Sequence, residues 1–293
     1  MNKEELSVLE VVAYFGQWQR ALTFIEIKNF LYQQPLSDEQ LANTVNNLCN
    51  KHKLVVDCGY IALSQSSITA TINRQTTLTI LRQRALRIAS IISSTPYIQS
   101  VILMNSVAMQ TNRKESDIDF LVITAPGHLY FARALALIKL KILGLHKNHH
   151  LQAGRACLGY WLTEDNLDVR KYRCDDRTNA MWIATMVPLF GVQTYNQFIK
   201  VNDYIFDLLP NWKKHQVAHL AGDKEQGLDV GKYGVLEKII FHLSQRKIMR
   251  DSEFANSKLL VCAPNILKMH SVDHRPNYIR KMQSILDILS PKR

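Results

Sequence analysis

Two aspartates, Asp117 and Asp119, stand either side of one isoleucine in the run Ser116-Asp-Ile-Asp-Phe-Leu-Val-Ile-Thr124. Side chains on a strand alternate between faces, so both carboxylates project to one side while Ile118, Phe120 and Val122 point to the other. Neighbouring carboxylates repel unless a cation lies between them. Mg²⁺ suits such oxygen ligands and keeps waters or phosphates in the rest of its shell. Upstream, Asn105-Ser106 forms a turn between an apolar strand, Ile98–Met104, and a short helix within 105–113. A helix start offers amides to phosphate, and the Ser106 hydroxyl adds a donor. Asn105 belongs to the few residue types that tolerate positive φ in such a turn. Ser116 is placed to end the loop and hold the first carboxylate. Simpler roles fit the same residues: acids at a strand end facing water, and Ser106 as a helix cap.

The elements around this constellation can be read from the pattern. A helix is expected over about Lys3–Phe15. A second is expected from Thr23 and a third from Ser37, each opened by a capping box (Thr-Phe-Ile-Glu, Ser-Asp-Glu-Gln). Leu54–Val56, a turn at Asp57, Cys58 and Gly59, and Tyr60–Leu63 read as a hairpin. Residues 64–72 read as a linker, followed by a helix over about Arg74–Ser93 that carries Arg82, Arg84 and Arg87 on a solvated face. After the strand Ile118–Thr124 come a helix over about His128–Leu143, a basic loop with His146, His149 and His150, and a strand over Ala156–Leu162. Beyond Asp176 the pattern is helical, with breaks near Pro188, Pro210, Pro264 and Pro276. Trp161, Trp182 and Trp212 read as core.

The expected fold class is α+β. An N-terminal winged-helix-like module (residues 1–66) leads into a small mixed β-sheet core with helices on one side (73–170), then a helical C-terminal lobe (176–293). With 293 residues, 47% hydrophobic and 21% charged, the chain has globular composition and length for more than one lobe. Leu129 to Leu145 is the most apolar stretch, but it carries Arg133, Lys139 and Lys141, so no membrane partner is expected. No secretory signal is visible at the start, and a cytoplasmic protein is expected. Five scattered cysteines with no CxxC pair argue against zinc or a disulfide framework. Residues 1–70 hold five basic and seven acidic residues (net −2). The rest holds 31 and 18 (net +13). The basic surface therefore belongs to the middle and C-terminal parts, where it can attract nucleic acid or polyphosphate. The third helix opens with Asp38 and Glu39, poorly suited to meeting DNA phosphates.

Strand, short turn ending in serine, short helix, then Ser-Asp-x-Asp on a second strand resembles the polymerase-β-like nucleotidyltransferase superfamily. The likeness extends to Cys157-Leu-Gly-Tyr-Trp-Leu-Thr-Glu-Asp165 and Met186-Val-Pro-Leu-Phe-Gly191, as in bacterial nucleotidyltransferase-domain proteins of this length. The resemblance implies that Asp117 and Asp119 hold Mg²⁺ and serve as catalytic acids. It implies that Ser106, with Asn105 and Ser116 in the turn, meets the phosphates of a nucleoside triphosphate. A nucleotidyl group would then pass to an acceptor, with a nucleic acid or a protein as candidates. Two positions depart from the family. Asn105 stands where its turn begins with glycine, and the strand 156–162 lacks the acid its third carboxylate would supply. Glu164, Asp165, Asp168, Asp175 and Asp176 follow that strand. The alternatives are a degenerate fold that binds nucleotide or a partner without turnover, and a winged-helix nucleic-acid-binding regulator.

Overall fold

In the computed structural model, which describes residues 1–148, 151–173, 175–212, 234–252, 254 and 257–289, helix α1 (Lys3–Gly16) opens the chain with a capping box between Asn2 and Glu5. Strand β1 (Leu22–Thr23) and helix α2 (Phe24–Phe30) follow. Helix α3 (Asp38–Asn50) precedes the hairpin β2 (Val55–Asp57) and β3 (Tyr60–Ala62). Thr23 and Ser37 both close the expected capping boxes, with Glu26 and Gln40 reaching back. The three strands form a small antiparallel sheet, β1-β3-β2.

Helix α4 (Gln65–Ser93) begins immediately after the hairpin. The expected linker at 64–72 is therefore its first two turns. Serines and β-branched residues lower intrinsic helix propensity there, but tertiary contacts override it. Ile68 packs with Ala21 and Ala62, and the Thr71 hydroxyl accepts from the Ala21 amide at 2.8 Å.

Next come β4 (Ile98–Met104), the single-turn helix α5 (Asn105–Ala108), β5 (Ile118–Thr124), α6 (Leu129–Ile142) and β6 (Ala156–Thr163). The chain continues through α7 (Asp176–Ala184), β7 (Val187–Phe190), α8 (Val192–Val201), α9 (Tyr204–Leu208) and α10 (Val235–Arg250). The hairpin β8 (Val261–Ala263) and β9 (Ile266–Lys268) and helix α11 (Arg275–Leu289) complete it. Among the described residues no helix is long and apolar enough to cross a membrane.

The large sheet is mixed, in the order β7-β4-β5-β6-β9-β8, with only β5 and β6 parallel. Two expectations change here. The C-terminal part is not purely helical, because three of its strands complete this sheet. Pro188 marks a strand rather than a break, and β7 is an edge strand, where a missing amide costs little. At its end Gly191 takes φ +67°, and a β-carbon there would collide with the Gln99 carbonyl.

Helices also cover both faces of the sheet, not one. Val101, Leu103, Phe120, Val122 and Trp161 pack on one face against α4 and α6. Ile102, Leu121, Ile123, Tyr160 and Leu162 share the other core with residues of α1, α7, α8 and α11. A strand of alternating apolar residues with both faces apolar demands cover on both sides. The Glu237 carboxylate ties α10 to the start of α6, accepting from the Tyr130 and Phe131 amides at 2.7 Å each.

Candidate functional site

Asp119 sits at the start of β5, in register with Met104 on β4 and Cys157 on β6. It shares a face with Leu121 and Ile123, as strand alternation requires. Asp117 precedes the strand on the same side. One oxygen from each carboxylate and the Cys157 sulfur lie within 4.8 Å of one another. The Lys147 ammonium reaches in from the loop before β6 and meets Asp117 Oδ2 at 2.7 Å. Cys157, not among the site residues expected from the sequence, thus belongs to the cluster. Only the parallel register of β5 and β6 reveals it.

The charges at this end are strongly interdependent. Burial, then the neighbouring Asp117 charge, raises the Asp119 carboxyl to about 6. Burial and Asp119 raise the Cys157 thiol to about 12, so it is neutral at physiological pH. Burial disfavours the Lys147 ammonium, yet Cys157 and Asp117 outweigh it and hold the group above its ordinary value.

Asn105 takes φ +56° at the turn after β4, a conformation its type tolerates. Its side chain lies beside Asp119 and favours the charged form of that carboxyl, and its Oδ1 accepts from the Trp182 indole N–H at 3.1 Å. The amide therefore links the acid pair to α7. Ser106 follows, and among the described residues its hydroxyl makes no hydrogen bond. Because α5 is a single turn, its dipole is small. The Ser116 hydroxyl accepts from the Arg113 amide at 2.9 Å. It closes the loop, as expected, rather than bonding to Asp117.

Asn105, Ser106, Ser116, Asp117 and Asp119 all line one cavity of about 440 Å³, a volume that suits a single small molecule. Its apolar wall is aromatic: Tyr14 from α1 and Trp18 in the turn after it, Tyr160 and Trp182, Tyr172, and Tyr278 from α11. The Tyr160 and Trp182 rings stack at 5.7 Å. Trp161 and Trp212 are buried core, while Trp182 faces the cavity. Across the cavity lie Lys268, His270 and Arg275, none of which stands out in the sequence.

None of the five acids that follow β6 joins the pair. Glu164 accepts from Thr194 and Asp165 from Thr163. Asp168 pairs with Arg170, Asp176 with Arg173, and Asp175 caps α7 through the Thr178 amide. His146 is half-buried and bridges to Ala156, whereas His149 and His150 lie outside the described residues.

Two converging carboxylates opening on a cavity fit a hard ion that completes its shell with water and phosphate. A neutral thiol is a poor ligand for such an ion, and the Lys147 ammonium competes with it for Asp117. No family model, curated protein or solved structure matches this chain.

Proposed function

We propose that the chain is a polymerase-β-like nucleotidyltransferase that binds a nucleoside triphosphate in this cavity and passes its nucleotidyl group to an acceptor hydroxyl. One observation carries the reading: Asp117, Asp119 and the unbonded Ser106 hydroxyl line a single cavity sized for one small molecule. Asp117 and Asp119 would hold Mg²⁺, which supplies charge stabilisation at the reacting phosphate and activation of the attacking oxygen.

The rest of the work belongs to the chain. Ser106 donates to a phosphate oxygen, and the turn 105–106 fixes where that phosphate lies. Trp182 holds Asn105 beside Asp119, and the strand register on both sides of Asp119 orients the acid before substrate arrives. The aromatic wall offers stacking faces to a base and excludes water. In this reading residues 1–66 are a winged-helix-like module. Its part in the site is to supply Tyr14, while Trp18 beside it packs on Tyr278 at 4.9 Å.

The test is transfer of labelled nucleotide with Mg²⁺ by wild type and by the Asp117→Ala/Asp119→Ala variant. Mg²⁺-dependent transfer by the first and none by the second is expected. Equal transfer by both would refute the assignment.

A second reading is favoured by Cys157 and Lys147. A thiol stands in register with Asp119, where a third acid would complete the set, and an ammonium already neutralises Asp117. On that reading the site binds nucleotide without turnover. Melting temperatures that rise with nucleotide, in a protein that transfers nothing, would identify it.

A further inference from the structure

The opposite end of the cavity holds a charge that the acid pair does not explain. Lys268 closes β9 and is only 7% exposed. Among the described residues its ammonium makes no hydrogen bond and no ion pair. The nearest acid, Asp273, is engaged by Arg275, whose Nε donates to Asp273 Oδ1 at 2.8 Å. Arg275 Nη1 also donates to the Tyr172 carbonyl at 2.8 Å. The Lys268 ammonium lies 5.7 Å from the Tyr172 ring centre, a contact too weak to offset burial of a full charge. His270 lies two residues on, so it shares the face of Lys268 and lines the same cavity. Its Nδ1 is buried without a partner. Burial, then Lys268, pushes this imidazole down to about 4, so it is neutral at physiological pH and can donate one N–H.

Position separates this end from the acids. β9 lies two strands from β5 in the sheet, about 10 Å at ordinary strand spacing. Tyr160 stands in register with Lys268 and forms the floor between them. A buried cation, a neutral donor and an aromatic floor opening on a shared cavity suit one kind of group.

We propose that Lys268 and His270 form an oxyanion subsite that receives a phosphate or carboxylate group of a ligand whose other end faces Asp117 and Asp119. The subsite does not depend on nucleotidyl transfer. Both a triphosphate and an acidic acceptor carry such a group, and binding in the presence of nucleotide separates them.

Inorganic phosphate is the probe. It is titrated against the full chain in phosphate-free buffer at constant ionic strength, followed by melting and calorimetry. Wild type is expected to melt at rising temperature as phosphate is added. Lys268→Met should weaken phosphate binding at least roughly tenfold, and Lys268→Arg should retain most of it. Asp117→Asn/Asp119→Asn should bind phosphate no more weakly than wild type. Without phosphate, Lys268→Met should melt cooperatively and no lower than wild type, since it removes an unpaired buried charge; this separates lost binding from lost folding. Undiminished phosphate binding by a folded Lys268→Met, or an equal response of wild type to chloride, overturns the proposal. In the ATP arm, phosphate excluded by ATP assigns the subsite to the nucleotide, and phosphate bound beside ATP assigns it to the acceptor. Phosphate binding with no ATP binding would remove the nucleotidyltransferase reading and leave the subsite standing.

Discussion

The acid end of the cavity and its basic end are built in different ways. Asn105, Ser106, Ser116, Asp117 and Asp119 come from one strand-turn-strand passage, so a few residues of backbone geometry set their positions. Lys268, His270 and Arg275 come from the chain's last third, and Tyr14 from its first helix. They meet only because β9 pairs with β6 and α11 packs on α1. Chemistry held by local backbone shows in a sequence as spacing. Chemistry assembled by sheet register leaves single, ordinary-looking residues. The acid end also carries its own counter-ion in Lys147, whereas Lys268 at the basic end has none among the described residues.

The largest test of this contrast is removal of the acids. Asp117→Ala/Asp119→Ala should lower Mg²⁺-dependent transfer by about 10³-fold or more and abolish any rise in melting temperature with Mg²⁺. Phosphate binding at the basic end should survive. Loss of both together would mean that the two ends are one site.

A gain comes next. Cys157→Asp places a carboxylate in register with Asp119, beside the Lys147 ammonium. If the missing acid limits the reaction, transfer should rise by about 10²-fold, the low end of general-base assistance. A folded variant with unchanged transfer would show that the thiol position is not what holds the rate down.

The local end was therefore the legible one, and the same division runs through the fold. The capping boxes at Thr23 and Ser37 and the apolar runs of β4 and β5 are short-range signals, and each element lies where its signal puts it. The first turns of α4 were hidden because serine and threonine favour non-helical backbone, and only packing of Ile68 on Ala21 and Ala62 decides otherwise. The strands β7, β8 and β9 have three or four residues each, too few for a period to declare itself. Cover on both faces of the sheet followed from those hidden strands and from α11 folding back. Cys157 lay in a run noted for its family likeness, but nothing marked its thiol as part of the site until its strand neighbour was known.

Titration of Asp119 gives a smaller effect, visible in stability. Burial and Asp117 raise this carboxyl to about 6, above its ordinary unfolded value. Between those values the folded state binds more protons than the unfolded one, so stability falls as pH rises through roughly 4 to 6 and stays lower above. Asp119→Asn has no proton to lose. Its stability relative to wild type should climb across that window, reaching on the order of 3 kcal/mol at neutral pH. Denaturant melts at pH 4, 5, 6 and 7 (about one unit apart) measure it. Mg²⁺ should narrow the gap at neutral pH by stabilising wild type alone. An equal margin at every pH would remove the claim that burying a repelled charge is the cost of this acid pair.

The smallest expected effect examines how the acid end is held. The Trp182 indole N–H donates to Asn105 Oδ1 at 3.1 Å, and Asn105 lies beside Asp119, where it favours the charged carboxylate. Trp182→Phe keeps an aromatic ring against Tyr160 but removes that donor. Loss of one half-buried hydrogen bond should cost about 1 kcal/mol in stability. Its signature lies elsewhere. Asn105 sits at positive φ, so its side chain can swing once the indole releases it, and Asp119 loses a favourable neighbour. Mg²⁺-dependent transfer should fall several-fold, while phosphate binding at Lys268 stays unchanged, because the ring kept at position 182 still packs on Tyr160. A drop in stability with no change in transfer would make Trp182 a packing residue and leave Asp119 oriented by the sheet alone.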